Sequence, residues 1–107
     1  RLLLDNGANV KMAGNEGSAL FIASQLGHTD VARVLLQSGA DVNTARDDGL
    51  SPLGAACADG RIDVVRLLLE HGANIEQRMH GGFSPLFLAC DNGHIDVARL
   101  LLERGAD

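Results

Sequence analysis

Apolar and polar residues alternate along this chain in a pattern that predicts pairs of short helices. In its central part, residues 53–57 form a short apolar run that ends near Gly60. From residue 63 to residue 70, apolar residues recur at three- and four-residue spacing, which places them on one face of a second helix. Gly72 ends this pattern, and a polar, glycine-containing stretch follows up to Phe83. The pattern therefore predicts a helix, a tight turn, a second helix and an extended loop.

The same pattern occurs three times at a constant step of 33 residues. The segment that opens at Ser18 returns at Ser51 and at Ser84, and the turns and helix ends return with it. A unit of this size buries its apolar face only against a copy of itself, so the chain is predicted to be a stack of similar units. The predicted helices are 18–26 and 30–37, 51–59 and 63–70, and 84–92 and 96–103.

Local signals at the helix ends agree with the pattern of apolar residues. In the middle unit Ser51 precedes Pro52, an N-cap residue followed by proline at the first helical position. Asp63 stands at the start of the second helix, where a negative charge suits the helix dipole. Gly72 follows that helix, and glycine tolerates the left-handed conformation found after helix ends.

Composition supports close packing of small units in one domain, 1–107. The chain has 107 residues, 46% of them hydrophobic, but only three Phe and no Trp or Tyr. Small residues therefore do the packing, which suits helices that approach one another closely. Because residues 1–6 match a second helix without its first, we expect a fragment of a longer array, with end-to-end self-stacking through its uncapped termini. We divide the domain into a partial repeat at 1–17 and repeats at about 18–50, 51–83 and 84–107.

The charges and the two cysteines restrict the partners and the setting. The formal net charge is −5 and the nine basic residues are scattered singly, which argues against nucleic acid as a partner. No apolar run has the length of a membrane span, which argues against membrane insertion. Cys57 and Cys90 lie one unit apart, roughly 8–10 Å for packed helices, whereas a disulfide needs Cα atoms within about 7 Å. We therefore expect two buried packing thiols, with Ser24 in the same slot, in an intracellular protein, cytoplasmic or nuclear.

The motifs of the repeated unit resemble those of the ankyrin repeat. Each unit carries a serine, then Leu two residues later and Ala five residues later; two of the three have a Gly-His turn, and the second helix ends before Gly-Ala. The resemblance implies an all-α ankyrin-repeat solenoid of stacked helix-turn-helix units with projecting β-hairpin-like loops. It also implies a protein-interaction module that binds another protein or peptide on a concave face. Two alternatives stay open: a regulatory or targeting segment of a larger enzyme or channel, and a structural spacer array.

The chain departs from the family pattern at one position of each first helix. The family usually has histidine after Thr-Pro-Leu, whereas this chain has Phe21, Gly54 and Phe87 there. The polar tie that this histidine supplies is therefore absent from all three units. Gly54 also lies inside a predicted helix, where glycine costs about 1 kcal/mol relative to alanine. We therefore predict that the middle unit is a weak point of the stack.

No metal site or catalytic site stands out from the repeats, so we predict no cofactor and no enzyme. His28 and His94 occupy the Gly-His turn, where the resemblance implies that the ring satisfies backbone groups, but Arg61 stands there in the middle unit. The histidines and cysteines lack the ligand spacing of zinc sites. The repeated serines are expected to be helix caps, and the repeated Asp and Arg residues at i,i+3 to form weak pairs on the second helices.

Differences between the units indicate where a partner binds. Positions that pack must repeat, whereas positions that differ between units face water or a partner. The partner-binding residues predicted in this way lie in the loops and at the ends of the first helices: Lys11, Met12, Glu16, Arg46, Asp47, Asp48, Leu50, Asp59, Arg78, Met79, His80, Phe83 and Asp91.

These residues suggest the character of the partner. Apolar residues in polar loops often mark a contact surface, and carboxylates stand beside them in the same loops and helix ends. We hypothesise a groove with an apolar floor and an acidic rim, suited to a basic peptide. The alternative for Leu50 and Phe83 is that they pack under their own loops.

Asn43 is a candidate for modification. The stretch from Leu35 to Asn43 resembles the sequence that asparaginyl hydroxylases modify in ankyrin loops, whereas Lys11 and Glu76 fill the equivalent places. The simpler interpretation is that Asn43 forms hydrogen bonds within its loop.

Overall fold

The computed structural model describes residues 17–107, and the helices within this range follow the predicted pattern. Their bounds agree with the predicted ones to within one residue at each end. The six helices of these residues are α1 Ala19–Leu26, α2 Thr29–Gln37, α3 Pro52–Ala58, α4 Ile62–Glu70, α5 Pro85–Asp91 and α6 Ile95–Glu103. The predicted partial repeat at 1–17 lies outside the described residues except for Gly17.

Serine caps start the first helix of every unit, as the sequence predicts. The hydroxyl oxygens of Ser18 and Ser84 each accept a hydrogen bond at 3.1 Å from the backbone N–H three residues later, and that of Ser51 accepts one at 3.0 Å. Such a cap stabilises a helix by about 1 kcal/mol. These three buried serines are therefore structural.

The first helices form one layer and the second helices form another behind it. Helix α3 packs between α1 and α5, while α4 packs against α2 and α6. Leu53 is buried in the core, and Leu86, its equivalent in the next unit, packs against the same cluster. The predicted stack of matching units is therefore confirmed. The core residues that are at most 2% exposed include Leu20, Leu35, Leu53, Val64, Val65, Leu68, Val97 and Leu101.

Glycine at the turn between the two helices is required by the neighbouring unit. Gly27 and Gly60 have φ angles of 79° and 72°, a region that favours glycine. A Cβ atom at Gly60 would also lie 2.6 Å from Nδ1 of His94 in the following unit. At Gly27 the following unit supplies Arg61, whose Nε donates to the carbonyl of Gln25 at 3.1 Å. The bond that the resemblance assigns to histidine is thus made by arginine in the middle unit.

The projecting loops are tight turns that contact one another. The N–H of Arg46 donates to the carbonyl of Leu50 at 2.9 Å, and the N–H of Met79 donates to that of Phe83 at 3.1 Å. The N–H of His80 donates to the carbonyl of Asp48 at 2.8 Å, which joins the two loop tips. Within residues 17–107 the hairpin-like loops contain no strand, because one such bond closes each of them.

The two cysteines differ in exposure, which corrects the prediction that both are buried. Cys57 is buried and Cys90 is exposed, although they occupy equivalent positions. Cys57 belongs to α3, which has a first helix on both sides. Cys90 belongs to α5, which has one such neighbour within the part of the chain that the structure describes.

This difference predicts unequal thiol reactivity. Burial raises the pKa of the Cys57 thiol to about 12, so at about pH 8 its reactive thiolate is scarce as well as inaccessible. We expect a colorimetric thiol reagent to modify one cysteine rapidly in the folded protein and both after unfolding. Cys90→Ser should remove the rapid phase, and Cys57→Ser should leave it intact. A rapid phase that survives in Cys90→Ser would contradict this assignment.

Candidate functional site

The predicted partner-binding residues that the structure describes lie at two levels of the stack. Eight of them belong to the two loop tips, 46–50 and 78–83, which the hydrogen bond between His80 and Asp48 holds together. Asp59 and Asp91 stand at the C-terminal ends of α3 and α5, about 10 Å along these short helices from the loops. Lys11, Met12 and Glu16 lie outside the described residues.

Arg46 and Asp48 are paired with each other within the loop. The Nη2 and Nε atoms of Arg46 donate to the two carboxylate oxygens of Asp48 at 2.7 and 3.2 Å. The guanidinium carbon of Arg46 also lies 4.8 Å from the ring centroid of Phe21, a cation–π distance. One oxygen of Asp48 also accepts a hydrogen bond from the N–H of Leu50 at 3.0 Å. Both groups therefore hold the loop on α1, and Asp47 is the exposed carboxylate of this tip.

The ion pair predicts a shifted titration of Asp48. Hydrogen bonds from Arg46 hold the pKa of Asp48 below its ordinary value, so the pair stabilises the fold above the ordinary carboxylate range and is lost as pH falls through the folded pKa. We expect Arg46→Met to raise the pKa of Asp48 and to lower the free energy of unfolding by about 1 kcal/mol. Heteronuclear NMR titration of the carboxyl carbons measures the first effect.

A matched control lies on α2. Arg33 pairs with Asp30 at 3.1 Å on an exposed surface, so Arg33→Met also removes one ion pair. It should leave the titration of Asp48 unchanged and cost a few tenths of a kcal/mol. Equal titration of Asp48 in the wild type and in Arg46→Met would contradict the role assigned to the pair.

Side chains at two positions of each unit complement one another. One position precedes the cap serine, and the other is the place where the family has histidine. In the first unit these positions hold Gly17 and the fully buried Phe21; a Cβ atom at Gly17 would lie 2.6 Å from that ring. In the middle unit Leu50 fills the space over Gly54, where a Cβ atom would lie 2.7 Å from its Cδ1. The glycine predicted as a weak point therefore makes room for Leu50.

The third unit carries two aromatic residues at these positions. Phe83 and Phe87 stack with ring centroids 5.0 Å apart and an angle of 21° between the planes. They remain 42% and 46% exposed. Phe87 was missed as a site residue because its position repeats and so resembles a packing position. The signal that distinguishes it is the absence of a glycine partner in its own unit.

Three exposed carboxylates accompany this aromatic surface. Asp47, Asp59 and Asp91 form no ion pair with another residue of the described range. Arg78, in the third loop, donates to the carbonyl of Gly82 at 2.9 Å. We call the surface formed by Asp47, Asp59, Phe83, Phe87 and Asp91 the acidic–aromatic surface.

Asn43 connects two successive loops. Its side-chain oxygen accepts a hydrogen bond from the N–H of Asn74 at 2.8 Å, and its carbonyl accepts one from Nε2 of Gln77 at 3.1 Å. Glu76, the equivalent residue, accepts a bond from the N–H of Asp107 at 2.8 Å. This geometry gives Asn43 a structural role, and its hydroxylation stays a prediction.

Other kinds of site find no support in the described residues. Residues 17–107 contain no group of three or more His, Cys, Asp or Glu side chains arranged to hold a metal ion. Grooves between the units are shallow, such as the one lined by the exposed Asp30–Arg33 and Asp63–Arg66 pairs. No helix in this range has the length and apolar character needed to cross a bilayer.

Comparison with known proteins agrees with this architecture. A family model described as ankyrin repeats, three copies, matches residues 1–46 and 44–107. The chain belongs to the ankyrin-repeat family. Ankyrin repeats are protein-interaction modules, so this ankyrin chain has a protein-binding role.

Curated relatives of the ankyrin chain include a phosphatase regulator. Protein phosphatase 1 regulatory subunit 12A of Mus musculus and that of Rattus norvegicus are each 41% identical to it over 54 residues, 50% of this chain. The match covers 5% of each relative's length. The family and these regulatory relatives indicate a non-catalytic module.

Proposed function

We propose that the acidic–aromatic surface binds a basic segment of a partner protein. The single observation that carries this proposal is the exposed, stacked pair Phe83 and Phe87 beside carboxylates without a described ion pair. Exposed aromatic groups are enriched at protein interfaces, and each ring supplies contact area at little conformational cost. The carboxylates favour a partner of opposite charge and accelerate its association.

Peptide selection tests the character of the partner. Panning a phage-displayed library of random peptides against the folded protein should enrich sequences that contain Arg or Lys. Changing Asp47, Asp59 and Asp91 to Asn should weaken the binding of an enriched peptide roughly tenfold, and should flatten its dependence on salt. Fluorescence anisotropy with a labelled peptide at two salt concentrations measures both effects.

The outer helices supply a matched control for this charge change. Asp30, Asp63 and Asp96 stand in the first turns of α2, α4 and α6, and their triple change to Asn alters the net charge equally. This variant should keep its affinity for the peptide. Equal loss in both triple variants, or enriched peptides without an excess of basic residues, would overturn the proposal. The same comparison tests the spacer alternative, which predicts that both sets of residues are equally replaceable.

A second proposed function is regulation within a larger assembly. It is favoured by the relatives, which are named as regulatory subunits of protein phosphatase 1 and are about twenty times longer than the match. The catalytic subunit of protein phosphatase 1 is the direct probe. Calorimetric binding that the Asn variant of Asp47, Asp59 and Asp91 weakens would support this function, and absence of binding would reject it.

Self-association through the end of the stack is a third proposal. Ile95 and Leu102 are 67% and 57% exposed on α6, and apolar side chains of this size favour burial against another surface. Sedimentation velocity should then give a weight-average mass that rises with concentration. A constant monomer mass would reject self-stacking. The free thiols Cys57 and Cys90 favour an intracellular setting, cytoplasmic or nuclear, which fractionation of the source cells tests.

A further inference from the structure

Two phenylalanines at equivalent positions have different surroundings. Phe21 and Phe87 each donate their backbone N–H to the cap serine of their own helix at 3.1 Å, so their backbones are placed alike. Phe21 is fully buried, whereas Phe87 is 46% exposed. The difference therefore comes from the side chains around each ring.

An arginine lies over the buried ring. The guanidinium carbon of Arg46 is 4.8 Å from the Phe21 centroid, within the roughly 6 Å of a cation–π contact. The same guanidinium forms a two-bond pair with the carboxylate of Asp48. The protein thus already contains one arginine held by an aromatic ring and a carboxylate together.

The exposed ring has an aromatic residue and a carboxylate nearby but no described cation over it. Phe83 stacks on Phe87 and covers one face of its ring. Asp91 is four residues after Phe87 on α5, so the two side chains start from the same face of the helix. Arg78, on the same loop as Phe83, donates instead to the carbonyl of Gly82.

We propose that Phe83, Phe87 and Asp91 form a binding site for an arginine side chain of a protein partner. This inference rests on the proposed function and names the partner residue that the acidic–aromatic surface recognises. Arginine fits better than lysine because its planar guanidinium stacks on a ring and can bond to a carboxylate through two N–H groups, as Arg46 does. Lysine offers a compact, strongly hydrated charge that attracts Asp91 but stacks poorly.

Small probes test the site without an identified partner. N-acetyl-arginine amide is titrated into the isotope-labelled protein, and the ring resonances of Phe83 and Phe87 and the amide of Asp91 are followed by NMR. N-acetyl-citrulline amide has nearly the same shape without the charge, and N-acetyl-lysine amide has the charge without the plane. The arginine probe should shift these resonances with at least roughly threefold higher affinity than either comparison probe.

The chain supplies an internal control and a conservative variant. The ring of Phe21 is already covered by Arg46, so its resonances should stay in place during the titration. Phe87→Leu keeps an apolar side chain and removes the ring, which should weaken binding of the arginine probe roughly two- to fivefold. Phe83→Leu is a second variant with the same expected direction, and both positions are exposed enough to tolerate the change.

Several outcomes would overturn the arginine site. They are equal shifts with the arginine and citrulline probes, equal affinity for the arginine and lysine probes, and an unchanged affinity in both leucine variants. These results would leave the proposed function standing, because it is measured separately with the selected peptides. A peptide that binds the leucine variants normally but loses affinity for the Asn variant would reject the arginine site alone.

Discussion

Leu53→Ala is expected to lower the free energy of unfolding by about 3 kcal/mol. Leu53 is 1% exposed in α3, where it packs in the core between the neighbouring first helices. Removing its terminal carbons forfeits their burial and leaves a cavity, and such changes cost about 2–5 kcal/mol in well-packed cores. Each unit of a solenoid depends on its neighbours, so a cavity in the middle unit weakens the contacts on both sides. Urea unfolding followed by circular dichroism measures this loss.

Leu102→Ala is the matched control for this substitution. Leu102 is 57% exposed on α6, so the same change of side chain removes little buried surface. Its effect should stay within about 0.5 kcal/mol. Equal destabilisation by the two leucine substitutions would mean that the repeated positions are not the interface between units.

Gly54→Phe is expected to destabilise the protein by about 2–3 kcal/mol. A Cβ atom at this position would lie 2.7 Å from Cδ1 of Leu50 and 3.5 Å from Cδ1 of Leu88. A whole ring there overpacks a space that is already filled, which costs about 1–3 kcal/mol or somewhat more. Thermal and urea unfolding both measure the loss, with Gly54→Ala as the smallest step toward it. Alanine requires only a shift of the flexible end of Leu50 and gains helix propensity, so its net effect should be small.

A second substitution should rescue Gly54→Phe. Adding Leu50→Gly recreates in the middle unit the combination of Gly17 and Phe21 found in the first unit. The double variant should recover at least half of the lost stability, which a double-mutant cycle reports as a favourable coupling energy. If Leu50→Gly only adds its own cost, the two positions do not complement one another.

Most of the fold follows from the sequence because its determinants are local or periodic. The serine caps, the positive-φ glycines after the turns and the apolar spacing each depend on residues a few positions apart. The stack then follows from the 33-residue period, since equivalent residues such as Leu53 and Leu86 must pack on one another. These features were predicted to within one residue at each helix end.

Exposure within the stack was harder to predict because it depends on neighbours in other units. Phe21 and Phe87 occupy the same place in the pattern, yet the first is buried and the second is exposed. Arg46 lies over Phe21 from the following loop, and a glycine precedes the cap serine only in the first unit. Cys57 and Cys90 differ for a similar reason, because α3 is flanked on both sides and α5 on one within residues 17–107.

The predicted acidic rim was also resolved only by geometry. The sequence places Asp47 and Asp48 side by side in one loop, and nothing in their spacing distinguishes their roles. The side chain of Asp48 points to Arg46 and stabilises the loop, which leaves Asp47 exposed to a partner. The choice depends on side-chain conformation, which a pattern of residue types does not specify.

NMR mapping of a selected basic peptide on the isotope-labelled protein tests the central claim most directly. That claim is that repeated residues hold the units together while the non-repeating residues of loops and first helices form one binding surface. We predict perturbed amides in 46–50, in 78–83 and around Asp59, Phe87 and Asp91, with α2, α4 and α6 unaffected. Perturbations centred on those three outer helices, with the loops unchanged, would contradict it.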